Sequence, residues 1–223
     1  MCGRFTLTAD AEQLQQTFQL ASRPPELAPR YNIAPTQSVA VVLNRAGQRQ
    51  LDAFRWGLIP PWAKDKAIGN RMINARGETA AEKASFKGPF RRQRCLVLAD
   101  GFYEWQKTAD GKQPTYIHLP DRQPFALAGL WERWQDRAND AVIHSCTILT
   151  TAPNELVALI HNRMPVILPP PAIDLWLDPT VQSPAELQPL LVPYPAGAMS
   201  AYPVSRLVNS PANEGPGCVV GIN

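Results

Sequence analysis

Residues at the start of the chain have the types needed for covalent chemistry with an aldehyde. Cys2 follows Met1, and its small side chain normally permits an aminopeptidase to remove Met1, so that Cys2 becomes N-terminal. A terminal cysteine carries an amine and a thiol on adjacent carbons, which together close a thiazolidine ring on an aldehyde. Unperturbed pKa values of about 7.7–8.0 for the amine and about 8.5 for the thiol leave both partly nucleophilic near neutral pH. Position alone favours the alternative, that Cys2 is an ordinary early cysteine.

Two other residues have the properties of proton-transfer groups. Glu104 stands among the three aromatic residues of segment 102–105, which would exclude water from its carboxyl group and raise its pKa towards the general-acid range. The alternative is an outward-facing strand residue between core aromatics. His161 falls at a predicted helix end, so we expect it to be a better acid–base candidate than His118 and His144, which lie in predicted strands.

The hydrophobic pattern predicts short helices and many short strands that would position these residues. We expect a helix capped by Thr8, with Ala11, Leu14 and Phe18 buried. Alternating and β-branched runs predict strands over 39–43, 51–56, 95–99, 102–107, 115–119, 125–131 and 142–150. The 23 prolines are dispersed among apolar runs and indicate irregular loops, not disorder.

The remaining segments predict loops, short helices and closing strands. Segment 56–62 contains adjacent prolines and is expected to be a loop that presents aromatic surface. A helix is predicted from Pro153 to about His161, with Leu156, Leu159 and Ile160 inward. Further short helices are predicted near 172–177 and 184–190, and closing strands over 202–208 and 218–222. We find no repeat or linker, which predicts a single domain over 1–223.

Composition favours a reduced cytoplasmic protein without a metal or cofactor. The 223 residues are 45% hydrophobic, enough for one substantial core, but no apolar run is long enough to span a membrane, and no signal peptide is recognisable. The four cysteines, at positions 2, 95, 146 and 218, form no CxxC pair and have no histidine at zinc-ligand spacing. We therefore expect neither a zinc site nor a disulfide framework.

Positive charge is concentrated in the first half of the chain. The net charge is +3, but residues 1–107 carry 16 Lys and Arg against 9 Asp and Glu, whereas residues 108–223 carry 6 against 10. This asymmetry predicts an anionic partner for a surface built mainly from the first half. An ordinary solvated basic face is the alternative.

Seven ordered segments resemble the SRAP family, the SOS response-associated peptidases or abasic-site processing proteins. They are Met1-Cys2-Gly3-Arg4-Phe5, Arg30-Tyr31-Asn32-Ile33-Ala34-Pro35, Trp56-Gly57-Leu58-Ile59-Pro60-Pro61-Trp62, Ile73-Asn74-Ala75-Arg76-Gly77-Glu78-Thr79, segment 94–105 ending in Phe102-Tyr103-Glu104-Trp105, Ile160-His161-Asn162-Arg163-Met164-Pro165-Val166, and Val204-Ser205-Arg206-Leu207-Val208-Asn209. Because they cover some two hundred residues in order, the resemblance is highly specific.

The resemblance implies a fold, a reaction and a partner. The fold is α+β and mostly antiparallel β, a barrel-like SRAP fold with a few short flanking helices. The protein would bind single-stranded DNA in a basic channel and capture abasic sites through Cys2 as a thiazolidine crosslink, with AP lyase activity and crosslink reversal. It would act as a monomer in the cytoplasm, associated with the nucleoid if bacterial.

The resemblance also implies residue roles. Cys2 is the nucleophile, Asn74 positions the cysteine or the sugar, Glu104 shuttles protons, and His161 is an acid–base group on the opened sugar. The implied DNA contacts are the phosphate clamps Arg4, Arg76 and Arg163, the stacking residues Phe5 and Trp62, and the pocket-lining residues Asn32 and Pro35.

Two points remain open in the sequence. Some family members carry two consecutive tryptophans where this chain has Trp62 followed by Ala63, so we expect a smaller stacking surface. The older family name suggests a different function, a cysteine peptidase that uses Cys2 with His161 or Glu104. The sequence shows no oxyanion hole or substrate cleft for that reaction, and the basic first half favours DNA.

Overall fold

The computed structural model describes residues 2–136, 138 and 140–222. The strands in this part of the chain are β1 (Phe5–Leu7), β2 (Arg30–Ile33), β3 (Ser38–Arg45), β4 (Gln48–Trp56), β5 (Asn74–Arg76), β6 (Arg94–Ala99), β7 (Gly101–Thr108), β8 (Gly111–His118), β9 (Phe125–Gln135), β10 (Val142–Thr151), β11 (Met164–Pro165), β12 (Ile167–Leu168) and β13 (Ser200–Pro203). The α-helices are α1 (Ala11–Phe18), α2 (Gly77–Ala80), α3 (Lys87–Arg92), α4 (Glu155–Ala158), α5 (Pro170–Leu177) and α6 (Pro184–Leu187).

Five strands form a closed ring. The order is β10-β4-β3-β6-β9, and β9 pairs back onto β10. The neighbours are antiparallel except β4 and β10, which run parallel over Arg55–Trp56. Apolar side chains fill the ring because these strands are rich in β-branched and aliphatic residues, and β6 is buried along its full length. The predicted barrel-like, mostly antiparallel α+β fold is therefore confirmed.

A second sheet carries the chemically interesting residues. Its order is β13-β8-β7-β1-β2, so β1 lies between β2 and β7. Phe5 is paired with Ile33 on one side and with Phe102 on the other. This pairing brings the start of the chain beside the strand that contains Glu104, although about a hundred residues separate them in sequence.

Helix α1 buries the predicted residues but begins differently. Ala11, Leu14 and Phe18 are buried, as the spacing predicts. The cap is Asp10, whose carboxylate accepts a hydrogen bond from the backbone N–H of Gln13, so the predicted Thr8 cap is wrong. The Thr8 hydroxyl instead donates to the buried carboxylate of Asp100 at 2.7 Å, a charge-assisted hydrogen bond that holds its side chain away from the helix N-terminus.

The helix predicted before His161 is shorter than expected. Asn154 caps α4, which is one turn long, and the chain leaves the helix before residue 160. Consequently Val157 is the buried residue of the turn, while Leu159, predicted to point inward, is 73% exposed. Leu156 and Ile160 are partly buried against the core, as predicted, so only the prediction for Leu159 is wrong.

The C-terminal segment forms turns instead of the predicted closing strands. Within 202–222, β13 ends at Pro203, and Arg206–Asn209 and Pro216–Val219 are single 3-10 turns. An isolated bridge between Val204 and Gly221 is what remains of the predicted pairing. This segment packs over Tyr103 and Tyr116 in a small cluster of its own. We call residues 204–219 the C-terminal strap.

Candidate active site

Cys2 is fully buried, three residues before β1 begins. The Asn74 side chain, from β5, donates through Nδ2 to the carbonyl oxygen of Cys2 at 2.8 Å, and the Cys2 thiol contacts the carbonyl oxygen of Arg4 at 3.8 Å. Burial, followed by the nearby charge of Glu104, raises the pKa of the Cys2 thiol well above its usual value. The thiol is therefore held protonated in this state. The predicted removal of Met1 concerns a residue outside the described part of the chain.

Glu104 and His161 lie together beside Cys2. Glu104, in the buried half of β7, is 1% exposed, and burial raises the pKa of its carboxyl group, an effect that the charge of His161 partly opposes. Nδ1 of His161 is 4.0 Å from Oε1 of Glu104. The predicted burial of Glu104 is thus observed.

The backbone around His161 suits both protonation states of the imidazole. Nδ1 of His161 lies 3.1 Å from the backbone nitrogen of Arg163 and 3.3 Å from its carbonyl oxygen. A neutral ring can accept from the N–H, and a protonated ring can donate to the carbonyl. The backbone of Arg163 thus fixes the orientation of the imidazole ring.

Arg163 is held inside the protein by a carboxylate. Its two terminal nitrogens donate to the carboxylate oxygens of Glu78 at 2.6 and 2.8 Å, and Nη2 also donates to the carbonyl oxygen of Thr150 at 2.6 Å. The hydrogen bonds from Arg163 lower the pKa of Glu78. Glu78 lies in a recognised motif, but the sequence did not reveal its partner. The pair fixes the turn that carries His161.

Arg4 and Asn32 form a buried clasp with the C-terminal strap. Nη1 of Arg4 donates to Oδ1 of Asn32 at 2.7 Å and to the carbonyl oxygen of Val208 at 2.8 Å. Nδ2 of Asn32 donates to the carbonyl oxygens of Ser210 and Asn213 at 2.9 and 2.7 Å. This arrangement differs from the phosphate and pocket contacts implied for these residues, because internal acceptors already engage both side chains.

Phe5 lies differently from what base stacking requires. Phe5 has no exposed surface, and its ring packs edge-on against Trp56 with centroids 5.0 Å apart. Its face is therefore not available to a base in this conformation. Pro35 is half-buried in the turn between β2 and β3.

Two of the predicted DNA contacts do present free surface. Arg76 is exposed, its side chain forms no hydrogen bond or ion pair with any described residue, and it lies on the same face of β5 as Asn74, two residues away. Trp62 is 56% exposed, whereas the loop beneath it is anchored by the Trp134 indole, which donates to the carbonyl oxygen of Ala63 at 2.8 Å. A fixed loop with a projecting ring is suited to contact a base.

A family model covers most of the chain. The model described as SOS response associated peptidase (SRAP) matches residues 1–211. The chain belongs to the SRAP family. Among curated SRAP relatives, abasic site processing protein YoqW of Bacillus subtilis is 47% identical over 97% of both chains. Abasic site processing protein HMCES of Gallus gallus is 33% identical over all of this chain and 78% of its own.

A solved SRAP-like structure agrees with the architecture. A crystal structure of a protein from Bacteroides thetaiotaomicron superposes with a TM-score of 0.88 at 28% identity, covering 100% of both chains. The superposition therefore supports the architecture described above over the length of both chains.

This SRAP protein also anchors β1 through a buried carboxylate, that of Asp100. Asp100 is 1% exposed and accepts hydrogen bonds from the Thr6 hydroxyl and from the backbone and hydroxyl of Thr8. The Ala9 N–H adds a fourth at 3.2 Å. The clamp fixes the end of β1 opposite Cys2.

The described residues contain no cluster of three or more potential metal ligands, and none of their helices has the length and apolar character to cross a bilayer. All four cysteines are free and buried.

Proposed function

We propose that this protein processes abasic sites in single-stranded DNA by capturing them covalently at Cys2. The observation that carries the proposal is the convergence of Cys2, Asn74, Glu104 and His161 in one cluster built from β1, β5, β7 and the turn after α4. The names of the relatives support the same substrate class.

The reaction uses the aldehyde of the ring-opened abasic sugar. Once Met1 is removed, the Cys2 amine adds to the C1′ carbon, and the carbinolamine loses its oxygen as water to leave an imine. The thiol sulfur then adds to the imine carbon, the C=N electron pair returns to nitrogen, and the thiol proton ends on that nitrogen. A thiazolidine forms and one water is released per crosslink.

The raised pKa values of Glu104 and Cys2 support a role for Glu104 in both proton transfers. Because burial keeps Glu104 protonated to higher pH than an ordinary carboxylic acid, it can donate to the departing hydroxyl of the carbinolamine. The resulting carboxylate can accept the thiol proton, which the buried Cys2 does not release unaided. Oδ1 of Asn74 is buried and accepts no hydrogen bond from the described residues, so it is available to the new amine or to a sugar hydroxyl.

DNA binding falls to the residues with free surface. Arg76 is suited to a backbone phosphate, and Trp62 to a base that flanks the lesion. Arg4 and Arg163, whose donors are engaged internally, are assigned to positioning Cys2 and His161. In this division of roles, a few exposed side chains supply the part of the DNA affinity that does not depend on base sequence.

Peptide hydrolysis fits the geometry less well. A cysteine peptidase lowers the pKa of its thiol by pairing it with an imidazolium, whereas burial and Glu104 raise the pKa of Cys2. AP lyase activity and crosslink reversal share the imine of the proposed path, since an untrapped imine permits elimination at the sugar. We therefore retain these two activities and set peptidase activity aside.

Crosslinking of abasic single-stranded DNA tests the proposal. Wild-type protein should give a band that survives denaturation with abasic DNA and none with intact DNA. Cys2→Ser keeps the amine but has no thiol, so it should give a band only after borohydride reduction of the imine. A stable band from Cys2→Ser without reduction, or none from the wild type, would overturn the proposed chemistry.

A further inference from the structure

A small recess lined by arginines lies at the end of the barrel that is remote from Cys2. It has a volume of about 80 Å³ and is formed by the tip of the β3–β4 hairpin, the end of α3, the start of β6 and the segment around the end of α5. We call it the distal recess. Its lining includes Arg45, Arg92 and Arg94, and none of the described residues that line it is an aspartate or a glutamate. The recess therefore presents positive charge without a carboxylate of its own.

The distal recess is separate from the catalytic cluster. The start of β3 lies beside the end of β4, where Trp56 packs against Phe5 of β1. Arg45 ends β3, seven residues after Ser38, which at about 3.4 Å per residue is a distance of about 24 Å. An ion in the recess is thus too far from Cys2 to contact a sugar bound there.

One wall of the recess is a buried cation without a hydrogen-bonded carboxylate. Arg94 is 6% exposed, and its guanidinium donates hydrogen bonds of 2.5–3.0 Å to the backbone carbonyl oxygens of residues 90, 91, 176, 178 and 181. Carbonyl groups satisfy these donors but carry no net charge. The Asp178 carboxylate instead accepts from the backbone and the hydroxyl of Thr180. Burial lowers the pKa of Arg94 to about 10, although the charge of Asp178 opposes this shift, so a nearby anion would stabilise the charged form.

Other side chains of the recess have unused hydrogen-bond donors. Arg92 ends α3 and is exposed, and its side chain bonds no described residue. Arg45 bonds the carboxylate of Asp52 through Nη2, which leaves Nε and Nη1 without a partner among the described residues. Oδ1 of Asn44 accepts from the Gly47 N–H at 2.9 Å, which orients the amide and leaves Nδ2 as a further donor. The recess thus offers several donors to an external acceptor.

The charges in the recess match a phosphate dianion. Asp52 already neutralises Arg45, so Arg92 and Arg94 supply the charge that no bonded carboxylate balances. A phosphate monoester carries about −1.5 to −2 near neutral pH, whereas a carboxylate or a phosphodiester carries about −1. Guanidinium groups also present paired N–H donors that fit the oxygens of phosphate.

The size of the recess restricts the ligand to one such group. Its volume is below the range of about 300–1,000 Å³ typical of sites for larger small molecules, so a whole nucleotide would not fit inside it. The buried side chains of Leu43 and Leu177 also form part of the lining and exclude water there, which strengthens the attraction between the ion and the arginines.

We propose that the distal recess binds one phosphate dianion, either inorganic phosphate or a terminal phosphate monoester, through Arg45 and Arg92 with the charge of Arg94 behind them. The site goes beyond the proposed function and does not depend on it. Because such an ion binds the folded chain, it would also raise the stability of the protein.

Calorimetric titration with inorganic phosphate tests the site. Near pH 8 and at constant ionic strength, the wild type should bind one phosphate per chain with a Kd of about 1 mM or lower. Arg92→Gln and Arg45→Gln should each weaken binding about tenfold or more, since each removes a charged hydrogen-bond donor. Both side chains are exposed, so the variants should fold.

The matched control is Arg91→Gln. It removes the same charge from the neighbouring residue of α3, which is exposed, bonds no described residue through its side chain and does not line the recess. It should keep the wild-type affinity within about twofold. Equal weakening by Arg91→Gln and Arg92→Gln would show a diffuse basic surface and overturn the site.

Two short oligonucleotides, one with a terminal phosphate and one with terminal hydroxyl groups, distinguish the sources of the ligand. Competition with inorganic phosphate by the phosphorylated strand alone would identify a terminal monoester, and competition by neither strand would identify inorganic phosphate. Equal competition by both strands, or no saturable binding of phosphate, would overturn the dianion assignment. Crosslinking of abasic DNA is a separate measurement, so the proposed function stands or falls independently of these results.

Discussion

Replacing Arg4 with methionine separates two roles for this arginine, a phosphate clamp and a structural clasp. Methionine keeps the length and most of the apolar stem, but it removes the guanidinium that bonds Asn32 and the carbonyl oxygen of Val208. As a clasp, Arg4 contributes to stability and fixes Cys2. As a clamp, it contributes to DNA affinity and to the salt dependence of binding.

The clasp predicts a large loss of stability. Hydrogen bonds from a charged donor are worth about 1.5–3 kcal/mol each, so the two bonds are worth about 3–6 kcal/mol. Part of this is offset, because burial disfavours the charged guanidinium, as the lowered pKa of Arg4 indicates. A net loss of about 3 kcal/mol corresponds to a fall in Tm of about 6–12 °C for a chain of this size.

Thermal unfolding and salt-dependent DNA binding together decide between the roles. Arg76→Met is the matched control, because Arg76 is exposed and has no partner among the described residues. It should leave Tm unchanged and flatten the salt slope by about 0.7, whereas Arg4→Met should lower Tm and leave the slope intact. An Arg4→Met variant with wild-type Tm and a flattened slope would refute the clasp.

Three other substitutions or conditions have defined outcomes. Glu104→Gln should slow both crosslinking and reversal by about 10²–10⁴-fold, measured with abasic and pre-crosslinked DNA; unchanged rates would make Glu104 a structural residue. Burial raises the pKa of Glu104 in the folded protein above its value in the unfolded chain. At pH values between these two pKa values, the folded protein therefore binds more protons than the unfolded chain. The unfolding free energy of the wild type should therefore fall as pH rises from the usual carboxyl range through the folded pKa, and urea titrations of Glu104→Gln should show a weaker fall. Asp100→Asn replaces an acceptor of four hydrogen bonds and should cost about 2–3 kcal/mol, and a wild-type Tm would contradict the proposed anchoring of β1.

Local sequence patterns predicted the elements that depend on local physics. The buried stripe of α1 and the strands predicted over 102–107 and 115–119 follow from residue spacing and residue type, and they are present. Leu159 and the C-terminal strap were mispredicted because their structure depends on distant partners. Carbonyl oxygens of the strap accept hydrogen bonds from the side chains of Asn32 and Arg4 and not from a neighbouring strand. No local sequence pattern predicts these distant partners.

The candidate site was predicted largely through the family resemblance, with support from the chemistry of Cys2 and Glu104. Neither source could show that Arg4 and Arg163 are engaged internally, because the acceptors, Val208 and Glu78, are remote from them in sequence. Likewise, Phe5 is buried and Trp62 is exposed, although both are aromatic residues in the segments that resemble the family. These distinctions require the three-dimensional arrangement.

The clasp between Arg4 and the carbonyl oxygen of Val208 joins residues 204 positions apart in the chain. During synthesis, the cysteine is made almost first, but the strap that fixes its neighbour is made almost last. A nascent or prematurely terminated chain would carry the aminothiol without the clasp, and β1 would also lack its partner β7 until residue 108 had been added. The folded surroundings of Cys2 are thereby completed only when the end of the chain has been made.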